Sequence, residues 1–305
     1  MSAVRIVTLL VVLSLGSPPV AAQVTATAVA TYAEVIYRMG HESQRTPPNA
    51  DLSPGVHLIT SIGEVRFDPL VVDAAAVEFS FLARCMGNNF DVNQADFEAV
   101  LTIRSPTPQP VRVEIDSQVS SLGSGSIARA SFDVDIDGRI EAGPNSAAVA
   151  LPRTIGPAGL PIRITVLTAS AIQPGSGIAQ ATVRIVPDTG CTATVAAPAC
   201  TTPTLDVAEA FGAGIVATAD DLLPLAHAAL VAGLQPTSLP LPLPPGCSLG
   251  VQPAAILWLP PTGPRRRHEF ALPPTLRPLS IWFQVLQLEP GSQLGASAAV
   301  RLDCP

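Results

Sequence analysis

The stretch VRVEI at residues 111–115 alternates apolar and charged side chains one by one, and this alternation decides the fold class. Successive side chains of a β-strand point to opposite faces, so a period of two buries one set and leaves the other in water. Four further stretches alternate apolar and polar residues in the same way: VEFSF at 77–81, FDVDI at 132–136, IRITV at 162–166 and ATVRI at 181–185. Turn-forming residues separate these stretches, and the first half of the chain therefore predicts short strands.

The second half repeats the strand pattern with more proline, after a change of composition at residues 187–191. Candidate strands lie at 211–217, 226–233, 254–259, 268–272, 281–288 and 296–302. The run LPLPLPP at 239–245 is interpreted as an extended connection, because each proline removes a ladder donor. One short helix is predicted, at 93–100. We expect an all-β chain of two antiparallel β-sandwich domains, immunoglobulin-like or jelly-roll-like, at 23–188 and, smaller and proline-rich, at 189–305.

Residues 1–22 have the pattern of a secretory signal peptide. Arg5 precedes an apolar run at 6–15, and the small residues at 20–22 offer a cleavage site before Gln23. The run is shorter than the roughly 20 residues that a membrane-spanning helix needs, and no later run is long enough either. The sequence therefore predicts a secreted protein, in the periplasm or at the cell surface, with no transmembrane segment in the mature chain.

The charge balance is acidic, with a formal net charge of −7, and the sequence contains no lysine. A nucleic-acid partner needs a basic surface, and binding to anionic membranes needs clustered positive charge. The balance therefore argues against both kinds of partner.

Five cysteines are present, and export would place them where disulfides form. Four of them, Cys191, Cys200, Cys247 and Cys304, lie in the second domain and allow three pairings. A Cys191–Cys200 bond would close a small local loop, whereas Cys200–Cys247 with Cys191–Cys304 would close longer loops and stabilise more. The sequence leaves this choice open. Cys85 follows an apolar stretch and is predicted to be a buried free thiol.

The stretch DVDIDG at 133–138 resembles the first half of a calcium-binding loop, with Asp133, Asp135 and Asp137 as the oxygen ligands. The twelfth position of that loop is Pro144 instead of Glu. The alternative is a strand with its aspartates in water, ended by an Asp-Gly hairpin turn.

A second, weaker metal candidate combines Asp91, Asn93 and Asp96, which alternatively cap and begin the predicted short helix. Apart from calcium, no cofactor is indicated.

Catalytic motifs are not found. The four histidines, His41, His57, His227 and His268, are far apart in sequence, and His227 is expected to be a packed strand residue.

The cluster RRRH at 265–268 is interpreted as a solvated hairpin tip, with contact to an acidic polymer or another subunit as the alternative. Trp258 and Trp282 lie in apolar runs, which favours packing in the core over stacking on a sugar.

Four stretches of the second half carry a resemblance: AALVAG at 228–233, PGCSL at 245–249, IWFQ at 281–284 and LEPG at 288–291. They resemble a small C-terminal domain of uncharacterised secreted proteins from planctomycete-type environmental bacteria. The resemblance implies a β-sandwich and no activity. The chain departs from it at Cys304 and at the arginine run 265–267.

These observations predict a non-catalytic structural, adhesive or binding protein of the cell envelope, whose partner is an envelope or extracellular polymer or protein. The alternative is a carbohydrate-binding module or a carbohydrate-active enzyme. A hydrolase of another kind would need a histidine and a carboxylate that converge on a serine in space.

Overall fold

The computed structural model describes residues 24–305, except 38–40, 88–92, 124, 144–146, 171–174, 189, 213, 224–225, 242–246, 262, 272–277 and 290–292. The predicted signal peptide lies outside the described residues. The chain is all-β, as predicted, and contains no helix in its described part. Accordingly, none of the described residues belongs to a helix that could cross a membrane. Two compact units follow one another, Ala22–Pro187 and Asp188–Pro305.

The strands of the first unit are antiparallel and differ greatly in length. They are β1 (Thr25–Tyr37), β2 (Glu42–Arg45), β3 (Ala50–Asp51), β4 (Val56–Ile59), β5 (Gly63–Phe67), β6 (Val71–Val72), β7 (Val77–Met86), β8 (Asn93–Arg104), β9 (Gln109–Leu122), β10 (Ser126–Val134), β11 (Ala147–Ile155), β12 (Leu160–Ser170) and β13 (Ser176–Pro187). One sheet has the order β10-β12-β8-β1-β2, with β3 on β1. The other has the order β11-β9-β13-β7-β5-β4, with β6 on β7.

Aromatic side chains join the two sheets of the first unit into a sandwich. Phe97 of β8 lies edge-on to Phe67 of β5, with ring centroids 4.7 Å apart, and to Phe81 of β7 at 4.9 Å. All three rings are buried. The apolar positions of the alternating stretches, such as Val113 and Val183, are buried as well. The period of two in the sequence therefore marks the core face of this unit.

The short helix predicted at 93–100 is wrong, because these residues begin the strand β8. The apolar side chains at every second position from Ala95 to Ile103 are buried between the sheets, so the period of two extends through the whole segment. The polar residues that suggested a helix start, Asn93 and Asp96, are strand residues. Burial of the apolar stripe outweighs their capping preference.

The strands of the second unit are shorter. They are β14 (Thr192–Ala197), β15 (Thr204–Ala210), β16 (Gly214–Asp220), β17 (Ala228–Gly233), β18 (Pro236–Pro240), β19 (Ser248–Val251), β20 (Ala255–Leu259), β21 (Arg266–Ala271), β22 (Leu279–Glu289), β23 (Gln293–Ala296) and β24 (Ala299–Cys304). The main sheet has the order β14-β24-β22-β17-β20, with β23 on β22. A second sheet has the order β15-β16-β21, and β18 pairs with β19 as a separate two-stranded sheet. Part of the run predicted as a connection, Leu239 and Pro240, thus ends strand β18.

The main sheet of the second unit is packed on both faces. Its inner face meets the β15-β16-β21 sheet in a core that includes Phe270 and Phe283, whose ring centroids lie 5.7 Å apart. Part of its outer face meets the β18-β19 sheet, where Leu249 and Val251 contact Val231. The unit is therefore three layers thick over that part and two layers thick elsewhere.

Two disulfides stabilise the second unit. Cys191 bonds Cys304, and Cys200 bonds Cys247. The sequence allowed this pairing without selecting it. The first bond joins the beginning of the unit to its end, and the second joins the segment after β14 to the residue before β19.

Candidate functional site

The outer face of the main sheet in the second unit carries an exposed apolar surface. Trp258 is 75% exposed, Ile256 is 55% exposed and Leu288 is 43% exposed. These side chains surround a depression of about 620 Å³. We call its lining the Trp258 surface: His227, Ala229, Ile256, Trp258, Leu286, Leu288 and Leu294. Large exposed apolar side chains that cluster on one face commonly mark an interaction site.

Strand register explains how the depression forms. Ala229 of β17 lies between Trp258 of β20 and Leu286 of β22, and directly opposite side chains share a face of the sheet. Ala229 is small and buried, so it forms a low floor between two large neighbours. Leu288 and Leu294 are likewise cross-strand partners, on β22 and β23, and close one side.

A buried glutamine holds the β18-β19 sheet on the covered part of the outer face, next to the depression. Gln284 of β22 is 1% exposed, and its Oε1 accepts a hydrogen bond from the Gly250 N–H of β19 at 2.8 Å. Its Nε2 donates to the Ser297 carbonyl at 2.9 Å and to the Ser248 carbonyl at 3.3 Å. The amide thus satisfies three buried backbone groups and holds the covered half of the sheet face in place.

The Trp258 surface offers almost no polar chemistry. Its polar side-chain groups are the indole N–H of Trp258 and the imidazole of His227, and the other lining side chains are aliphatic. Such a lining favours an apolar partner, since each buried polar group of a ligand needs a hydrogen-bond partner.

The prediction that both tryptophans pack in the core is wrong for Trp258. All five residues of β20 are apolar, so its sequence does not show which side chains face the core. Leu257 and Leu259 pack into the core, and alternation therefore turns Ile256 and Trp258 outward. Trp282 is half-buried, and the Arg301 guanidinium carbon lies 5.1 Å from its ring centroid.

The three aspartates of the calcium prediction do not converge. Asp133 is buried and accepts a hydrogen bond from the Gly138 N–H at 3.3 Å. Asp135 accepts one from the Arg153 guanidinium at 2.8 Å, and Asp137 accepts one from the Arg139 N–H at 2.9 Å. No group of three or more acidic, histidine or cysteine side chains suited to a metal lies in the described ranges. Calcium binding here stays a prediction.

The alternative interpretation of this stretch also needs correction. Strand β10 ends at Val134, and the turn begins at Asp135 and Ile136, both with positive φ, one residue pair earlier than the expected Asp-Gly turn. Asp133 is buried instead of lying in water.

One residue of the second metal candidate, Asp91, lies outside the described residues. Asn93 donates to the Met86 carbonyl at 3.0 Å. Asp96 is 7% exposed and lies directly across from Glu34 of β1. Burial raises the pKa of Asp96, the Glu34 carboxylate adds to the rise, and hydrogen bonds from Gln94 and Tyr32 oppose it.

We expect Asp96→Asn to increase the free energy of unfolding at pH 7 by about 0.5–1 kcal/mol, the typical size of a cross-strand like-charge effect. A folded-state pKa above the unfolded value means that stability falls as pH rises from the model-peptide value of 3.8 through the folded pKa. Nearby charges are Glu34 on β1, Glu98 on β8 and Arg45 on β2. Urea unfolding at pH 4 and pH 7 measures the effect. An advantage of the variant that is as large at pH 4 as at pH 7 would contradict it.

The arginine cluster is not a solvated tip throughout. Arg265 is exposed and pairs with Asp220, and Arg267 pairs with Glu269. Arg266 is 3% exposed and donates to backbone carbonyls.

The surroundings of the histidines differ. His227 is exposed, contrary to its expected packing. His57 bonds the buried Glu64 at 3.0 Å, and Glu64 also pairs with Arg84. Burial lowers the pKa of His268. No hydrogen bond between the described residues joins a histidine to a serine.

Cys85 is a buried free thiol, as predicted, and burial raises its pKa.

Comparison with protein-family models gave no match, and comparison with curated protein sequences gave none either. The resemblance to the secreted bacterial domain stays a prediction.

Proposed function

We propose that the protein is a secreted, non-catalytic binding protein of the cell envelope, with a structural or adhesive role, and that it contacts an envelope or extracellular polymer or protein through the Trp258 surface. The observation that carries the proposal is Trp258, 75% exposed beside an apolar depression of about 620 Å³. The depression lies on a sheet that two disulfides support. Export through residues 1–22 belongs to the same proposal.

The surface is large enough to anchor a partner. An aromatic side chain buries about 150–250 Å², and apolar burial contributes about 25 cal/mol per Å². Because Trp258 is 75% exposed, covering its exposed part contributes gross stabilisation of about 3–5 kcal/mol, the size of an interface hot spot. A partner that covers the ring also covers its aliphatic neighbours, which then exclude water from the contact.

Carbohydrate binding is the second candidate, and the exposed ring of Trp258 favours it. The first unit adds a polar depression of about 270 Å³ on its β5-β7-β13-β9 face. There Ser80 and Thr182 hydroxyls are 2.9 Å apart, and Gln180 donates to Gln118 at 2.9 Å. These hydroxyl and amide groups already bond one another, so a sugar that used them would have to replace those hydrogen bonds. The aliphatic lining around Trp258 favours an apolar partner instead.

Sedimentation with cell envelopes of the source organism tests the proposal, with chitin, cellulose and peptidoglycan run in parallel. We expect the mature chain to sediment with envelopes and Trp258→Ser to bind at least tenfold more weakly. Val195→Ser is the matched control, because Val195 is 72% exposed on β14 at the opposite edge of the same sheet.

Three other outcomes decide between the alternatives. Failure of the wild type to bind envelopes would overturn the proposal. Equal binding by Trp258→Ser and wild type would remove the Trp258 surface from it. Binding to a purified polysaccharide that Trp258→Ser abolishes would establish the carbohydrate candidate.

A further inference from the structure

Strand β20 forms an open edge of the main sheet in the second unit. It is last in the order β14-β24-β22-β17-β20, and of the described strands only β17 pairs with it. Its backbone on the other side is therefore available to a further strand.

The hydrogen bonds of β17 show which backbone groups face that edge. The Leu288 N–H donates to the His227 carbonyl at 2.9 Å, so these two residues form a hydrogen-bonded pair. In an antiparallel ladder such pairs alternate along the strand, so odd-numbered residues of β17 bond β22 and even-numbered ones bond β20. By the register of β17 with β20, the N–H and C=O groups of Ile256 and Trp258 then point to the open edge.

The edge lacks the usual protection against strand pairing. Charged residues, prolines and bulges normally prevent other chains from adding to an edge strand. Residues 255–259 read AILWL, with neither charge nor proline, and Pro253 and Pro260 bound the strand on either side. Five residues of strand span about 17 Å.

The exposed area argues against a second copy as the occupant. A stable dimer buries about 800 Å² per partner. The exposed parts of Trp258, Ile256 and Leu288 amount to roughly 300–400 Å², given the 150–250 Å² of an aromatic side chain. A short extended segment needs less area, because its main chain adds hydrogen bonds along the edge.

The absence of charged side chains in the lining further limits which partners can bind. The side chains that line the depression include no acidic, lysine or arginine residue. A charged group placed there would lose water without gaining a partner, so the complementary segment is uncharged.

We propose that β20 binds an extended, uncharged polypeptide segment of about five residues by strand addition. Its main chain bonds the outward N–H and C=O groups of Ile256 and Trp258, and its alternate apolar side chains pack against the outer-face side chains of these two residues. This proposal rests on the proposed function and names the chemical class of the partner as polypeptide.

Titration of the mature Trp282→Phe variant tests the proposal, because Trp258 is then its single tryptophan. The probe is the peptide acetyl-Gly-Thr-Val-Thr-Val-Thr-Gly-amide, used unmodified, with both valine nitrogens methylated, or with the three threonine nitrogens methylated. Alternate N–H groups of a strand point to opposite edges. We therefore expect a blue shift of Trp258 emission with the unmodified peptide, and at least tenfold weaker binding of one methylated peptide but not of the other.

A matched pair of protein variants tests the same main-chain hydrogen bonds by changing β20 instead of the peptide. Ile256→Pro removes an outward N–H, whereas Ile256→Thr removes apolar surface and keeps that N–H. We expect Ile256→Pro to bind the unmodified peptide at least tenfold more weakly than Ile256→Thr. Circular dichroism of both variants checks that the sheet is intact.

The outcomes separate strand addition from the proposed function. Equal binding of all three peptides would overturn strand addition and leave the Trp258 surface as a side-chain contact. Failure of every peptide to bind, with envelope sedimentation still sensitive to Trp258→Ser, would overturn the polypeptide partner alone. A dimer found by light scattering and abolished by Ile256→Pro would establish a second copy as the occupant.

Discussion

The double variant Cys191→Ser, Cys304→Ser should lose about 4 kcal/mol of the free energy of unfolding of the second unit. The bond links residues 113 apart in sequence, and closing a loop of about that length reduces unfolded-chain entropy by an amount worth about 4–5 kcal/mol. Cys304 is also 3% exposed and belongs to the core cluster, so a serine there adds a buried hydroxyl. The loss of the loop constraint sets the size of the effect, and the buried hydroxyl changes stability in the same direction.

Differential scanning calorimetry measures this loss. A change of 1 kcal/mol moves the melting temperature of a unit of this size by about 4 °C, so we expect a decrease of about 15 °C in the second-unit transition. Cys85→Ala is the control, because Cys85 lies in the first unit and makes no disulfide. An equal melting temperature for the oxidised and the reduced wild type would contradict the expected contribution.

The second disulfide has a different consequence, which concerns the Trp258 surface. Cys247 directly precedes β19, and β19 carries Leu249 and Val251 onto the outer face of the main sheet. The Cys200–Cys247 bond and the Gln284 side chain thus hold the same layer. That layer covers one half of the sheet face and leaves the half with Trp258 exposed.

The fold class followed from the sequence because alternation is a local property. In VRVEI at 111–115, every apolar residue is buried, as the period of two requires. The helix predicted at 93–100 is wrong because burial of the apolar residues at every second position outweighs the helix-capping preference of the polar residues at its beginning. Turn chemistry was also locally ambiguous, since Asp135 and Ile136 adopt the positive φ expected of the following Asp-Gly pair.

The candidate site could not be predicted because it depends on strand order. The five apolar residues of β20 are compatible with a central strand buried on both faces and with an edge strand exposed on one. Only the topology shows that β20 ends the sheet and that the β18-β19 layer stops before it. The disulfide pairing could not be predicted for the same reason. Loop entropy indicates which pairing stabilises more, but only the positions of the cysteines in the fold show which pairs lie close enough to bond.

The burial of Arg266 likewise depends on the fold and could not be predicted from its sequence neighbours. Its substitution is expected to have the second large effect on stability. Its sequence neighbours are two other arginines, yet its side chain alone is buried. Its guanidinium donates to the carbonyls of Ala226 at 2.8 Å, Gly263 at 3.1 Å, and Leu259 and Leu223 at 3.4 Å. Burial lowers the pKa of Arg266. Leu259 ends β20, and Ala226 lies just before β17. One side chain therefore joins the ends of the two strands that carry Trp258 and Ala229.

We expect Arg266→Met to reduce the free energy of unfolding of the second unit by about 3–5 kcal/mol. Each hydrogen bond from a charged donor contributes about 1.5–3 kcal/mol, and buried carbonyls left unpaired cost about 1–3 kcal/mol each. Methionine fills much of the volume of the arginine stem, so the loss reports the guanidinium bonds more than the packing. The free energy of unfolding of Arg266→Lys should lie between those of the wild type and Arg266→Met, because an ammonium lacks the planar fork that reaches several carbonyls at once.

Unfolding by guanidinium chloride in the Trp282→Phe background measures the change in the free energy of unfolding. Trp258 fluorescence follows the transition at the proposed binding surface. Arg265→Met is the matched control, because Arg265 is the adjacent arginine, its side chain is 74% exposed, and its surface ion pair with Asp220 contributes about 0–1 kcal/mol. Equal midpoints for Arg266→Met and Arg265→Met would show that the four carbonyl bonds add nothing. A selective loss in Arg266→Met would instead mean that a buried guanidinium, in a cluster that the sequence predicts to be solvated, stabilises the unit by joining the ends of the strands that carry Trp258 and Ala229.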